Sequence, residues 1–235
     1  MKPTVLFVTG SDTGVGKTVF AALLIRHLRA RGFRVAGLKP VCSGGRGDAL
    51  AVWKAAGKVL TLDEVNPWHF RAPIAPLLAA RRAHRRVTRR EVTAHVQQIA
   101  INFDVVVVEG AGGLLSPLGE GFDSRDLIRA LRAVPIIVCA NRVGVVNQAL
   151  QVLGALPLAA ARRAQIVLMA PTRADSASRT NPPLLRELAG RTPVHELLNL
   201  RYPSALDAAL RRAQIRRVFD AVLQKFADRL VIPDS

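Results

Sequence analysis

A glycine-rich loop near the start of the chain has the residue types that bind nucleotide phosphates. Within residues 10–18, Gly14 and Gly16 would let backbone N–H groups approach phosphate oxygens without interference from a Cβ atom. The ammonium of Lys17 could reach the β and γ phosphates, and the hydroxyl of Thr18 could ligate Mg²⁺. We therefore predict a P-loop that binds a nucleoside triphosphate, and an ordinary glycine-rich turn is the weaker alternative.

The spacing of this loop departs by one position from the usual pattern. The pattern G-x-x-x-x-G-K-[ST] places its first glycine where Ser11 stands, and Gly10 comes one residue earlier. The loop nevertheless follows an apolar run and precedes a segment of helical periodicity. That context is the one in which a helix N-terminus binds phosphate, so the interpretation is kept.

Three further charged residues stand near predicted strand ends or turns. Glu109 ends a run of four valines, where a carboxylate could support Mg²⁺. Lys39 follows a strand predicted over residues 34–38, and a second ammonium there could stabilise charge that develops during phosphoryl transfer. Asp48 could ligate the same metal or could cap a helix predicted over residues 49–56.

The elements that must position these residues alternate between strand and helix. Apolar runs predict strands over residues 4–8, 34–38, 104–109, 134–140 and 165–170, and periodicity predicts helices over 17–31, 88–101, 126–132, 147–163 and 204–228. Residues 65–76 and 172–183 are predicted to be loops. The pattern predicts one α/β domain over residues 1–235, a doubly wound, mostly parallel sheet of the P-loop NTPase type with helices on both faces. Ligands in such folds bind beyond the carboxyl ends of the strands.

Composition narrows the classes of protein. Half of the 235 residues are apolar, which permits a large core, and Cys42 and Cys139 are too few for a disulfide scaffold or a zinc pattern. No leader or membrane segment is evident, so a cytoplasmic protein is expected. The formal charge is +17, and the basic run at residues 81–90 leaves a solvated surface and a polyanion-binding patch as alternatives, with nucleic acid the less favoured partner.

Several segments together resemble dethiobiotin synthetases. The P-loop contains the Asp12-Thr13 pair, and residues 37–44 read Gly-Leu-Lys-Pro-Val-Cys-Ser-Gly. Similar segments are Asp-Ala-Leu at 48–50, the Asn-Pro-Trp-x-Phe segment beginning at Asn66, and Val-Glu-Gly-Ala-Gly-Gly at 108–113. The resemblance implies a homodimeric ligase that uses ATP and Mg²⁺. It would close the ureido ring of dethiobiotin from 7,8-diaminopelargonic acid and CO₂ or bicarbonate, through a phosphorylated carbamate.

The resemblance also implies a role for individual residues. Lys17 and Lys39 would be catalytic. The residues implied to bind nucleotide are Gly14, Val15, Gly16, Lys17, Thr18, Val19, Asp48, Glu109, Gly110, Ala111 and Gly112. Those implied to bind the substrate are Thr13, Ser43, Gly112 and Asn147, with the substrate's carboxylate near the dimer interface, and those implied to hold Mg²⁺ are Thr18, Asp48 and Glu109.

The base-binding half of the site departs from the family pattern. Residues 168–171 read Leu-Met-Ala-Pro, without the asparagine that reads adenine in the family, and residues 195–200 replace a Gly-x-Ile-Pro-like element. This predicts a relaxed nucleotide preference. Three alternatives remain open at this point: a ParA- or MinD-like ATPase that binds DNA or membrane, an amidoligase related to those acting on cobyrinic acid, and a homologue that binds nucleotide without turnover. Against the first, Asp12 occupies the position of an early P-loop lysine in ParA-like proteins.

Overall fold

The sheet at the centre of the protein is parallel, as predicted. A computed structural model describes residues 3–198 and 213–224. The strands in this part, numbered along the chain, are β1 (Thr4–Gly10), β2 (Val35–Leu38), β3 (Val41–Ser43), β4 (Trp68–Phe70), β5 (Val105–Glu109), β6 (Val134–Ala140), β7 (Gln165–Met169) and β8 (Val194–Leu197). Six of them form one sheet in the order β2-β5-β1-β6-β7-β8, and β3 pairs with β4 in a small separate sheet.

The valine run forms a strand that is covered on both faces. All five residues of β5 are buried, although successive side chains of a strand point to opposite faces. β5 pairs in parallel with β1 and with β2, and Val8 lies opposite Glu109 while Leu38 lies opposite Val108. Because Lys39 follows Leu38, this register brings Lys39 and Glu109 to the same edge of the sheet. The predicted α/β class is confirmed.

Helices cover the sheet, and most of those that the sequence predicted begin or end close to the predicted positions. In the described residues they are α1 (Lys17–Ala30), α2 (Gly47–Ala55), α3 (Leu62–Val65), α4 (Pro76–Arg82), α5 (Arg89–Ala100), α6 (Ser124–Ala130), α7 (Val145–Ala155), α8 (Leu158–Ala161), α9 (Ser176–Leu188) and α10 (Ala213–Gln224). Within the segment 204–228, which was predicted to be a helix, α10 is the described part and is helical. The remaining residues of the segment lie outside the described part. Among the described residues, no helix is long and apolar enough to cross a bilayer.

The predicted loop at 172–183 is wrong, because most of it belongs to α9. Asp175 caps this helix by accepting from the Ser178 N–H, and Pro182 and Pro183 lie inside it. A proline has no N–H for the carbonyl four residues earlier, so Pro182 leaves the Ser178 carbonyl without its helical donor. The side-chain amide of Asn141 donates to that carbonyl at 2.8 Å. A contact from another element therefore replaces the hydrogen bond that the proline removes.

Three smaller predictions also need correction. The helix predicted over 147–163 ends at Ala155, and a separate short helix, α8, follows Pro157. Asp48 does not cap α2, because the helix begins one residue earlier and Asp48 lies in its first turn. The predicted loop at 65–76 contains β4, whose pairing with β3 orders the segment after Lys39.

Candidate nucleotide-binding and catalytic site

A cleft of about 730 Å³ opens at the carboxyl ends of the central strands. Twelve of the predicted site residues line it, namely Thr13, Gly14, Gly16, Lys17, Thr18, Val19, Lys39, Ser43, Asp48, Glu109, Ala111 and Gly112. A cavity of similar size, about 770 Å³, lies at the opposite edge of the sheet around Thr4 and Val134, and it shares no lining residue with the cleft. The predicted chemistry therefore gathers in one place, at the edge of the sheet where it was expected.

The P-loop enters α1 through a glycine in a backbone conformation that other residues rarely adopt. Gly16 precedes α1 with a φ of 99°, in the left-handed region, and no side chain of the described residues caps the helix. A Cβ on Gly16 would lie 3.0 Å from the terminal methyl group of Met169. At Gly10 a Cβ would lie 2.8 Å from a methyl group of Val15, which folds beneath the loop. Because no described side chain caps α1, the N–H groups at its start are left for an anion.

Lys39 lies at the centre of a buried charged cluster. Its Nζ donates to Glu109 Oε1 and to the Gly110 carbonyl at 2.8 Å, and it lies 3.3 Å from Asp48 Oδ2. Thr18 Oγ1 donates to the same Glu109 oxygen at 2.8 Å. Burial alone would lower the pKa of Lys39, but attraction to Glu109 and Asp48 outweighs it and raises the pKa above its usual value. The ammonium is therefore held charged at this position.

Lys17 is the second buried ammonium of the cleft. Its Nζ donates to the Asp12 carbonyl at 2.7 Å, so the side chain turns back along the P-loop. Burial lowers the pKa of Lys17, and repulsion from Lys39 lowers it further, against opposing attraction from Glu109 and Asp48. Two cations that repel one another in a buried cleft favour a polyanionic ligand between or beside them, because its charge would relieve that repulsion.

Glu109 has the properties of a metal ligand. It is 1% exposed, and its Oε2 is buried without a hydrogen-bond partner in the described part of the chain. Thr18 Oγ1 lies beside its other oxygen, and Asp48 faces the cleft with a side chain that is 55% exposed. These are hard oxygen donors, and among residues 3–198 and 213–224 no group of three or more His, Cys, Asp or Glu forms a metal cage. A ligand set of one or two carboxylates together with phosphate oxygens suits Mg²⁺.

Three predicted residues do not line the cleft. Val15 is buried under the P-loop, and Gly110 contributes its carbonyl to Lys39 rather than a surface to the cavity. Asn147 is exposed on α7, away from the cleft. Ser43 lines the cleft, but its hydroxyl donates to the Ile74 carbonyl. In this structure that hydroxyl therefore orders the wall of the cleft.

Sequence reasoning missed other parts of the lining. Residues 73–76 and Ser116 form one side of the cleft. Ser116 Oγ accepts from the Gly113 N–H at 2.9 Å, and Gly112, with a φ of 68°, has no room for a Cβ beside that hydroxyl. The one sequence signal for the role of Ser116 is its short distance from Gly112. A glycine run that turns sharply needs a nearby side chain to pair its N–H groups.

A smaller cavity of about 360 Å³ adjoins the cleft. It is lined by Ser11, Asp12 and Gly113 on one side and by Gln148 and Gln151 of α7 on the other. Ser116 lines both cavities, so they meet at that residue. A ligand in the cleft could therefore extend past Ser116 towards the helix that holds Asn147.

Comparisons with known proteins find relatives that match most of this chain. A family model described as an AAA domain matches residues 4–221. The dethiobiotin synthetase BioD of Xanthomonas oryzae is 38% identical over 157 residues, which is 63% of this chain and 70% of that protein. The protein of the same name from Xylella fastidiosa is 40% identical over 151 residues, which is 61% of this chain and 67% of the other.

Solved structures with a similar fold are more distant in sequence. A ParA family ATPase from Chlorobium tepidum has a TM-score of 0.58 and 13% identity, over 95% of this chain and 99% of that one. The MinC:MinD complex of Aquifex aeolicus contains a chain with a TM-score of 0.62 and 15% identity, over 99% of this chain and 98% of that one. At such identities the likeness concerns the fold alone.

Proposed function

Because the chain belongs both to the AAA-domain family and to the family of ATP-dependent dethiobiotin synthetases, we propose that it closes the ureido ring of dethiobiotin. Its enzyme class is that of an ATP-dependent ligase. The substrates would be 7,8-diaminopelargonic acid, CO₂ or bicarbonate, and ATP, with Mg²⁺. The observation that carries the proposal is the pair of buried ammonium groups, Lys17 and Lys39, that line one cleft beside a P-loop.

The phosphate half of the cleft suits the triphosphate of ATP. Gly14 and Gly16 leave the backbone of the loop accessible, and the uncapped start of α1 offers N–H groups and the positive end of the helix dipole. Lys17 starts that helix, and its ammonium can exchange the Asp12 carbonyl for a phosphate oxygen. Such an exchange replaces a neutral acceptor with an anion, which strengthens the bond.

The residues around Glu109 fit Mg²⁺. Thr18, Asp48 and Glu109 would hold it, and the unpartnered Oε2 of Glu109 is the donor that most needs a cation. When bound, Mg²⁺ would neutralise charge on the phosphate oxygens during transfer. Lys39 shares Glu109 and Asp48 as partners, so it can stay beside those carboxylates or turn to the substrate.

The proposed reaction brings anions together and therefore needs cations. One amine of the substrate adds to CO₂ and loses a proton, which forms a carbamate. A carbamate oxygen then takes the γ-phosphoryl group, and ADP leaves. The second amine attacks the carbonyl carbon, closes the ring and expels phosphate. Lys39 would hold the carbamate and Lys17 the transferring phosphoryl group, because both developing charges lie in a buried region where ammonium groups stabilise them strongly.

The sequence of bond changes requires no covalent enzyme intermediate. Cys42 lines the cleft, but it is buried, and burial raises the pKa of its thiol. A thiol with a raised pKa is a poor nucleophile near neutral pH. Cys42 is therefore assigned no step in the reaction.

Substrate positioning is proposed for the side of the cleft that faces α7. Thr13, Ser43 and the Gly112 backbone line the cleft where the diamine or carbamate would bind. The apolar chain and carboxylate of the substrate would extend through the adjoining cavity towards Asn147. A homodimer that covers this exposed face of α7 would complete the site, and dimerisation and a cytoplasmic location stay predictions.

Isotope incorporation tests this function. Purified protein is incubated with 7,8-diaminopelargonate, ¹³C-bicarbonate, ATP and Mg²⁺, and mass spectrometry should find dethiobiotin with one ¹³C in its ureido carbonyl. Omission of the diamine, the nucleotide or Mg²⁺ should abolish the product. If the complete mixture yields no dethiobiotin with any nucleoside triphosphate, the proposed function is wrong.

A further inference from the structure

Asn66 connects four groups around the candidate catalytic lysine. It is 1% exposed and lies between α3 and β4, outside the cleft lining. Its Nδ2 donates to the carbonyl of Lys39 at 2.7 Å and to that of Pro40 at 3.4 Å. Its Oδ1 accepts from the Cys42 thiol at 3.3 Å and from Arg46 Nε at 3.2 Å. One buried amide therefore joins the strand end that carries Lys39 to the loop that precedes α2.

The position of Asn66 is itself fixed by local structure. Thr61 and Glu64 form a capping box at the start of α3, which ends immediately before Asn66. The neighbouring carbonyl of Val65 accepts from the N–H of Lys39 at 3.0 Å. The backbone of Lys39 is thus paired through its N–H to Val65 and through its carbonyl to Asn66. Two adjacent residues of one segment hold both polar groups of the lysine's peptide backbone.

The same amide is linked through Arg46 to the helix that contains Asp48, the exposed carboxylate beside Lys39. Arg46 directly precedes α2, whose first turn contains Asp48. The guanidinium of Arg46 donates to the Asn66 carbonyl at 3.1 Å and to Asp63 at 2.8 Å, in addition to its bond with the Asn66 side chain. Arg46 is therefore clamped to the segment that holds Lys39. Asp48 follows two residues later and lies 3.3 Å from the Lys39 ammonium.

We propose that Asn66 is a positioning residue of the ligase site, which fixes Lys39 and the start of α2 relative to one another. The inference rests on the proposed function for its catalytic part and on the observed contacts for its structural part. Lys39 has a long, flexible side chain whose ammonium is held by Glu109 and the Gly110 carbonyl, and Asn66 fixes the backbone from which that side chain starts. A displacement of about 1 Å at a reacting group can lower a rate roughly a hundredfold.

Substitution of Asn66 should change kcat without a matching change in nucleotide affinity. Asn66→Ala removes the donors to Lys39 and Pro40 and the acceptor for Arg46. Asn66→Asp keeps the acceptor and the size of the side chain and, when ionised, has no donor. We expect kcat to fall roughly 10- to 100-fold in both variants. The dissociation constant for ATP should stay within about twofold, because the hydrogen bonds of the Asn66 side chain go to residues 39–46 and not to the P-loop.

A buried amide far from the cleft provides the matched control. Gln165 is fully buried at the start of β7, where its Nε2 donates to the Val222 carbonyl at 2.9 Å. Gln165→Leu should lower the melting temperature as the Asn66 variants do, but should leave kcat within about twofold of the wild type. If Gln165→Leu lowers kcat as much as Asn66→Asp at an equal loss of stability, the loss is a general effect of destabilisation and the positioning role is wrong.

Cysteine labelling gives a readout that does not depend on turnover. The chain has two cysteines, Cys42 beside Asn66 and Cys139 on β6, and both are buried. If Asn66 orders the segment from Lys39 to Arg46, alkylation of Cys42 relative to Cys139 should rise at least about tenfold in Asn66→Asp, which keeps the acceptor of the Cys42 thiol, and should not rise in Gln165→Leu. An unchanged ratio would overturn the proposal. If the wild type forms no dethiobiotin, the proposed function fails, and the labelling ratio still decides whether Asn66 positions this segment.

Discussion

The ammonium of Lys39 faces two carboxylates and one carbonyl. Glu109 and the Gly110 carbonyl lie at 2.8 Å and Asp48 at 3.3 Å, so the described contacts account for its three N–H bonds. The Asp48 contact is the longest, and that carboxylate is half exposed. Of the three contacts, the one with Asp48 would therefore cost the least free energy to replace with a contact to an anionic substrate. Lys39, which is a partner in a structural ion pair here, would then become a catalytic group.

The catalytic role of Lys39 is tested by truncation. Lys39→Ala should lower the turnover of dethiobiotin synthesis by about two orders of magnitude or more, because it removes a cation from the developing negative charge. Nucleotide binding should largely survive, since the P-loop and Lys17 remain. The measurement is kcat together with ATP affinity by calorimetry, with the exposed Lys54→Ala as control. Unchanged turnover in Lys39→Ala would show that this role is wrong.

The nucleotide preference of the site is a second prediction that concerns single residues. Met169 packs against Gly16, and Ala170 and Pro171 follow it, in place of the asparagine that the family uses to read adenine. A site that reads a base by hydrogen bonds rejects analogues by about 10⁴-fold, whereas an apolar contact discriminates far less. We expect kcat/KM for ATP, CTP and GTP to lie within about 100-fold of each other. A steady-state comparison that finds stronger selectivity for ATP would contradict this expectation.

The sequence predicted some residues of the site and missed others. Lys17, Lys39 and Glu109 were predicted because each starts a helix, ends a strand or directly follows one, and parallel strands bring such positions to one edge. Ser116 and the contacts of Asn66 could not be derived in this way. Both depend on how loops fold over the cleft, and no periodic pattern describes a loop.

At the scale of elements, α10 packs against α1 through an aromatic contact. The ring of Phe219, which is fully buried, lies 5.4 Å from Phe20 and 5.6 Å from His27 between centroids. Asp220 pairs with His27 at 2.9 Å and with Arg31 at 2.7 Å. The helix is thus held by an apolar side chain within the core and by charged groups at its edge.

Removal of the aromatic ring should destabilise the protein strongly. Phe219→Ala should lower the free energy of unfolding by about 3–5 kcal/mol, through lost burial and the cavity left behind. Urea unfolding measures the change, and the exposed Gln214→Ala on the same helix should stay within about 0.5 kcal/mol of the wild type. A loss below about 1 kcal/mol for Phe219→Ala would mean that α10 contributes little to the core.

The same contact predicts a pH dependence of stability. Burial lowers the pKa of His27 below its usual 6.5, against the attraction of Asp220. Below pH 6.5 the unfolded chain takes up a proton that the folded chain resists, so the free energy of unfolding falls as the pH drops from 6.5 towards the lowered pKa. His27→Gln should lose less stability than the wild type between about pH 7.5 and 5.5. Equal losses in the two proteins, measured by thermal unfolding, would contradict the assignment.

The elements show where sequence patterns succeed and where they fail. The strands from β1 to β7 that form the main sheet were predicted nearly at their bounds, because each is a continuous apolar run. Helix α9 was missed because two prolines inside it indicate a loop, and the Asn141 amide that compensates comes from a distant segment. Strand β3 was missed because three residues are too few to show a period.

At the scale of the whole molecule, the formal charge of +17 raises the question of whether the protein binds nucleic acid. In the basic run, Arg81 pairs with Glu120, while Arg82, Arg85, Arg86, Arg89 and Arg90 are exposed. We expect duplex DNA to bind weakly, to dissociate as salt rises, and to bind equally with and without ATP. Fluorescence anisotropy over a salt series measures this. Tight binding that requires ATP would favour a ParA-like function instead, and the single-domain organisation over residues 1–235 stays a prediction.

The central claim is that the cleft phosphorylates a carbamate rather than hydrolyses ATP. The two reactions differ in the origin of one phosphate oxygen. In the ligase the expelled phosphate keeps an oxygen of the carbamate, whereas a hydrolase adds one from water. The decisive measurement is a short incubation with C¹⁸O₂, diamine, ATP and Mg²⁺ in unlabelled water, followed by mass spectrometry of the released phosphate. We predict one ¹⁸O per phosphate, reduced only by exchange of CO₂ with water. Phosphate that contains no ¹⁸O, while the CO₂ remains labelled, would contradict the proposed mechanism.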